Sequence, residues 1–80
     1  MSQRLPVLTP RQVCQALTRK EAGFYICHTS SHGSHVHLCH PDDPTIRVDI
    51  AMHAKDPKRG TLLGILKQAK LSRSEFLELL

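Results

Sequence analysis

The run Ser31-His32-Gly33-Ser34-His35 carries the strongest chemical signature in this chain. Gly33 permits a tight or left-handed backbone, and the residues after Ser34 alternate in polarity. His35 is therefore predicted to open a strand beside a loop able to move. An imidazole with a reference pKa near 6.5 suits general acid–base work at neutral pH. The plainer alternative is a polar residue on a solvated sheet face. A second feature is the basic cluster Lys55, Lys58 and Arg59, placed just ahead of a predicted helix. A helix N-terminus offers unpaired N–H groups and partial positive charge, so added cations there make a phosphate site. Lys67, two turns further on, either extends that track or is an ordinary solvated charge.

Metal chemistry is the first rival. Cys27, His28, His32, His35, His37, Cys39 and His40 are dense in ligand atoms, and His35, His37 and Cys39 are predicted to share one strand face. Alternate positions on a flat strand do not close a tetrahedron without ligands from elsewhere, and the paired Cys-x-x-Cys or His-x3-His spacing is missing. No metal and no cofactor are expected, and a small zinc-binding domain is the lesser alternative. The three cysteines, Cys14, Cys27 and Cys39, are odd in number and lack the spacing of a disulfide scaffold. Met1 to Leu8 is too short for a signal peptide, and no stretch approaches the roughly 20 apolar residues of a membrane helix. A reducing cytoplasm with no membrane partner is the expectation.

The elements that must position these residues are legible in outline. Eighty residues with 40% hydrophobic content imply a single domain, 1–80, with one two-layer core. A net charge of +4, to which six His can add, favours polyanions or simply serves solubility, and charge alone does not decide between them. Thr9 as N-cap, Pro10 at the first helical position, Gln12 completing a capping box and Leu8 with Val13 as a staple predict a first helix. Its inward stripe is Val13, Ala16 and Leu17 with Cys14 beside them, and Gly23 is its natural stop. Three strands follow: Phe24 to His28, residues 35 to 40, and a third with Ile46, Val48, Ile50 and Met52 on one face and Arg47, Asp49 and Ala51 on the other. Pro41, Asp42, Asp43 and Pro44 form the turn between the last two.

A second helix is expected from about Thr61, with Leu62, Ile65, Leu66 and Ala69 on one face and Gly64 as a close-packing point. Ser72 and Glu75 form a capping box for a short terminal helix with Phe76, Leu77, Leu79 and Leu80. Those leucines pack back on the core or, if exposed, serve self-association or partner docking. The fold class is thus α+β: a three-stranded antiparallel sheet, two helices on one face and a short C-terminal helix. That α-β-β-β-α order matches the double-stranded-RNA-binding fold. His35, His37, Arg47 and Asp49 fall on the open face.

The run Gly33-Ser34-His35, followed four residues later by Cys39-His40-Pro41, resembles the glycine-serine-histidine strand of the HicA toxin family. Gly60-Thr61-Leu62, Ile65-Leu66-Lys67-Gln68-Ala69, Leu71-Ser72 and Glu75-Phe76-Leu77 are similar, in order, to that family's second helix and tail. Gly23-Phe24 fits its helix-to-strand junction. The resemblance covers nearly the whole chain. It implies an mRNA endonuclease neutralised by a HicB-type antitoxin, with the essential histidine at His35. The chain departs from the family in a Gly23–Gly33 segment about two residues longer, in His28 or Thr29 where Arg is frequent, and in His32 where Lys or Arg is common.

On that basis His35 is expected to be the general base, or the acid serving the leaving oxygen, in RNA cleavage by the neighbouring 2′-OH. Gly33, Ser34, His32, Lys55, Lys58, Arg59 and Lys67 would hold the substrate. The complementary acid is open between His32, His37 and a cation. The antitoxin is expected to be acidic, because it competes with RNA for a basic face. A non-catalytic RNA-binding module is the second alternative.

Overall fold

A computed structural model describes residues 5–30, 32–52 and 59–80, with the side chain of Arg59 outside that set. The order is α1 (Pro10–Leu17), β1 (Tyr25–Thr29), β2 (His35–His40), β3 (Asp43–Ala51), α2 (Arg59–Ala69) and α3 (Arg73–Leu77). The strands form one antiparallel sheet in the order β1-β2-β3. This is the expected α-β-β-β-α architecture.

The caps form as the sequence predicts. The Thr9 hydroxyl accepts from the Gln12 N–H at 3.1 Å, and the Gln12 side chain accepts from the Thr9 N–H at 2.8 Å. Leu8 and Val13 are both buried at the start of α1. Ser72 and Glu75 close the same reciprocal pair ahead of α3. The first helix, however, stops at Leu17, well before Gly23. Thr18 is the reason: its hydroxyl donates to the carbonyls of Cys14 and Gln15, which turns the chain back before another helical turn forms.

Gly23 has a different task. Its φ is +82°, and a Cβ there would lie 3.1 Å from the His40 ring. His40 Nε2 donates to the Ala22 carbonyl at 3.0 Å, and its Nδ1 accepts from the Asp42 N–H at 3.1 Å. The ring also meets Phe24 edge-on, with centroids 5.0 Å apart. His40 thus ties the approach to β1 to the β2–β3 turn, away from the open face.

One core joins the layers. Val36 and Leu38 of β2 and Val48 and Ile50 of β3 meet Val13, Ala16 and Leu17 of α1, Leu62, Ile65, Leu66 and Ala69 of α2, and Phe76 of α3. Leu79 is buried, Leu77 half-buried and Leu80 exposed, so most of the tail packs home. Cys14 sits in this core, and burial pushes its thiol pKa up. Strand β1 is the exception: all five of its residues are exposed, with Ile26 at 52% and Tyr25 at 49%. It is an edge strand with β2 on one side and no helix above Ile26 that buries it.

The turn is tighter than expected. Pro41 and Asp42 alone make it, and β3 already begins at Asp43, where Pro44 is tolerated on an edge strand. His40 pairs with Asp43, but Cys39 pairs with Arg47, so Pro44, Thr45 and Ile46 have no partners on β2. Asp43 accepts from both the N–H and the hydroxyl of Thr45, at 2.9 and 2.6 Å, which closes this bulge.

Helix α2 ends with Lys70 at φ +57°, and Leu71 N–H donates to the Leu66 carbonyl at 3.0 Å. That bond satisfies a terminal carbonyl in the manner of a Schellman cap. Gly64 is not a packing point. It is exposed, and a Cβ added there meets no atom within 4 Å among the described residues.

Gly64→Ala should therefore raise stability by up to about 1 kcal/mol, whereas Gly33→Ala, at φ +68°, should lower it by a similar amount. Thermal unfolding would show shifts of opposite sign. Acid should also destabilise the fold. Hydrogen bonds from Thr45 hold Asp43, and hydrogen bonds from Ser72 hold Glu75, below their ordinary carboxyl pKa. A lowered folded-state pKa gives stability that is present above the unfolded value and lost as pH falls through the folded one. Denaturant midpoints measured downward from pH 6 should decline, and less steeply in Ser72→Ala.

Candidate functional site

Because Val36 and Leu38 turn inward, His35, His37 and Cys39 stand on the open face of the middle strand. Each has neighbours on both sides, which makes rows across the sheet. In the first row His35 pairs with Ala51 of β3. On the β1 side, His35 N–H donates to the Ser30 hydroxyl at 3.1 Å, and Ser30 N–H donates to the His35 carbonyl at 3.0 Å. The Ser30 and Ser34 hydroxyls lie 3.1 Å apart, and Ser34 Oγ lies 3.2 Å from His35 Nδ1. Two hydroxyls thus back an exposed imidazole.

The loop before it is fixed at both ends. Gly33 N–H donates to the Ser30 carbonyl at 2.8 Å, and Met52 N–H donates to the Ser34 carbonyl at 2.7 Å. His32 is exposed on this turn.

The second row is His28, His37 and Asp49. His28 pairs with His37 across β1–β2, and His37 with Asp49 across β2–β3. The two imidazole centroids are 5.3 Å apart. His37 Nδ1 is hydrogen-bonded to Asp49 Oδ1. Arg47 approaches the same pair, with Nε 3.7 Å from Asp49 Oδ1 and Nη2 3.4 Å from His37 Nδ1.

The third row holds a feature the cysteine spacing did not suggest. Cys27 and Cys39 form a disulfide, with Cα atoms 5.8 Å apart, inside the span such bonds require. The pairing rests on strand register, which a separation of 12 residues does not reveal. Register shifts between Ile26 and His28, and this bulge gives Cys27 an extra place in β1. While this bond is formed, neither sulfur can ligate zinc. Among the described residues, no three His, Cys, Asp or Glu side chains converge on a metal position.

The cationic residues are less fully placed. Lys55 and Lys58 lie outside the described residues, as does the side chain of Arg59. The direction of α2 is nevertheless clear. Asp49 N–H reaches Gln68 Oε1 at 3.4 Å, and Lys70 Nζ reaches Asp43 Oδ2 at 3.4 Å, both at the C-terminal end of the helix. The helix therefore runs antiparallel to β3, and Arg59 begins it towards the Ala51 end, where His35 also stands. Lys67 is exposed in the last turn, nearer the Asp49 level than the helix start.

The α-β-β-β-α order, with one sheet face under the helices and the other in solvent, matches that of double-stranded-RNA-binding domains. The family model of the HicA toxins of bacterial toxin–antitoxin systems matches residues 10–71, and the chain belongs to that family. It is the toxin side of such a pair, with an antitoxin as its partner. No curated protein matches the chain. Among the described residues, no helix is long and apolar enough to cross a membrane.

Strand β1 buries none of its side chains, so its attachment depends on ladder hydrogen bonds and the Cys27–Cys39 bond. Closing a loop of this size is worth roughly 3 kcal/mol in the chain-entropy model. Dithiothreitol should lower the melting temperature of the wild type. The double variant Cys27→Ser/Cys39→Ser should melt near the reduced wild type and ignore the reductant.

Proposed function

We propose that this chain is the RNA-cutting member of its toxin–antitoxin pair, a metal-independent mRNA endonuclease in which His35 is the acid–base residue. The observation that carries the reading is the exposed His35 ring, backed by Ser34 and Ser30, at the end of the sheet towards which α2 begins. RNA brings its own nucleophile, so the protein has only to orient the 2′-OH in line with phosphorus, take its proton and steady the developing charge. His35 takes that proton. Gly33, Ser34 and His32 lie against the substrate on the adjoining turn, while Lys55, Lys58, Arg59 and, further along, Lys67 attract the phosphates.

The antitoxin is a HicB-type protein, acidic where it covers this face, since it must displace a polyanion. The mRNA substrate places the action in the cytoplasm. A reducing cytoplasm favours free Cys27 and Cys39 thiols over the disulfide.

His35→Ala should abolish growth arrest and reduce cleavage of a defined RNA by at least about 10²-fold, the usual contribution of one acid–base group, while the melting temperature holds. A 2′-deoxy sugar at the cut position should block cleavage, and EDTA should not. Retained toxicity in His35→Ala would end the proposal. RNA that is bound but survives incubation with the wild type would favour the non-catalytic binding module.

A further inference from the structure

In-line cleavage by a 2′-OH moves two protons: one leaves the nucleophile, and one must reach the departing 5′ oxygen. His35 accounts for one. The open face holds a second imidazole with a built environment, His37, two positions along the same strand. Strand geometry puts their Cα atoms about 7 Å apart with both side chains on one face. Three groups surround His37: Asp49 accepts from its Nδ1, Arg47 flanks that pair from β3, and the His28 ring lies beside it on β1. Asp49 engages Nδ1, so Nε2 is the nitrogen left to hand over a proton. Across the register, β3 sets the small Ala51 opposite His35 and Asp49 opposite His37.

We infer that His37, positioned by Asp49, is the general acid that completes the reaction His35 begins. This rests on the nuclease reading above. His35 takes the 2′-OH proton as the 2′ oxygen bonds to phosphorus. The bond from phosphorus to the 5′ oxygen breaks, and His37 donates its Nε2 proton to that oxygen. The products are a 2′,3′-cyclic phosphate and a 5′-hydroxyl, with both imidazoles exchanged in protonation state until solvent resets them. Asp49 acts through His37 and is a positioning residue. Arg47, already drawn towards Asp49 and His37, lies where it can neutralise the phosphate in passage.

The test compares two substrates: a defined RNA, and a ribonucleoside 3′-phosphate carrying a 4-nitrophenyl leaving group, which departs without being protonated. His37→Gln should cut RNA at least about 10²-fold more slowly yet release nitrophenol at nearly the wild-type rate. That recovery also shows that the variant is folded. The alkaline limb of the wild-type pH–rate profile on RNA should flatten in His37→Gln. Asp49→Asn should show a smaller loss with the same sparing of the activated ester, and His35→Ala should fail on both substrates.

Equal losses on both substrates in His37→Gln, or no loss on RNA, would overturn the role of His37 while leaving His35 and the nuclease reading in place. A wild type inert towards both substrates would overturn that reading, and this inference with it.

Discussion

Strand β2 lies in the middle of the sheet, and burying Val36 and Leu38 leaves no choice for the residues between them. Every second side chain of an extended strand faces the other way, so His35, His37 and Cys39 are committed to the open face by the same packing that holds α1 and α2 to the sheet. A slip of one residue would put three polar side chains into an aliphatic core and push two aliphatic ones into water. Core and site are therefore two consequences of one alternation. The rest of the open face then follows from which residues of β1 and β3 lie opposite.

Much of this was legible in the sequence because it rests on local signals. Thr9-Pro10 with Gln12, and Ser72 with Glu75, are short-range patterns whose partners lie within four residues, and they fold as read. The alternation through Val36, Leu38, Val48 and Ile50, and the helical spacing of Leu62, Ile65, Leu66 and Ala69, likewise assign faces without any knowledge of neighbours. Where two local signals competed, the weaker one was misread. Gly23 looked like the end of α1, but the Thr18 hydroxyl turns the chain earlier by bonding the carbonyls behind it. Gly64 interrupts an apolar helix, yet it faces solvent and needs no close neighbour.

The pairings across strands were not legible, and the cause is register. Counting back from the Pro41-Asp42 turn would place Cys39 opposite Pro44. The Asp43–Thr45 bulge moves that partner to Arg47 and so brings Asp49 opposite His37. A second bulge, at Cys27, decides that Cys27 meets Cys39 and that His28 stands beside His37. Neither bulge has a periodic signature. The one local clue is Pro44, which cannot donate to the ladder. The orienting hydroxyls of Ser30 and Ser34 were hidden for a similar reason, since only the folded hairpin brings Ser30 to the back of His35.

The bulge at Cys27 also bears on how this chain behaves in a crowded cell. A free sheet edge with half-exposed Tyr25 and Ile26 invites another extended chain to zip alongside it, which is how fibrils and misassembled dimers begin. An irregular step in the middle of that edge breaks the even spacing an incoming strand would need, and only short stretches on either side of Cys27 stay in phase. The kink that seats the sulfur pair thus leaves the most exposed border of the sheet a poor template for aggregation.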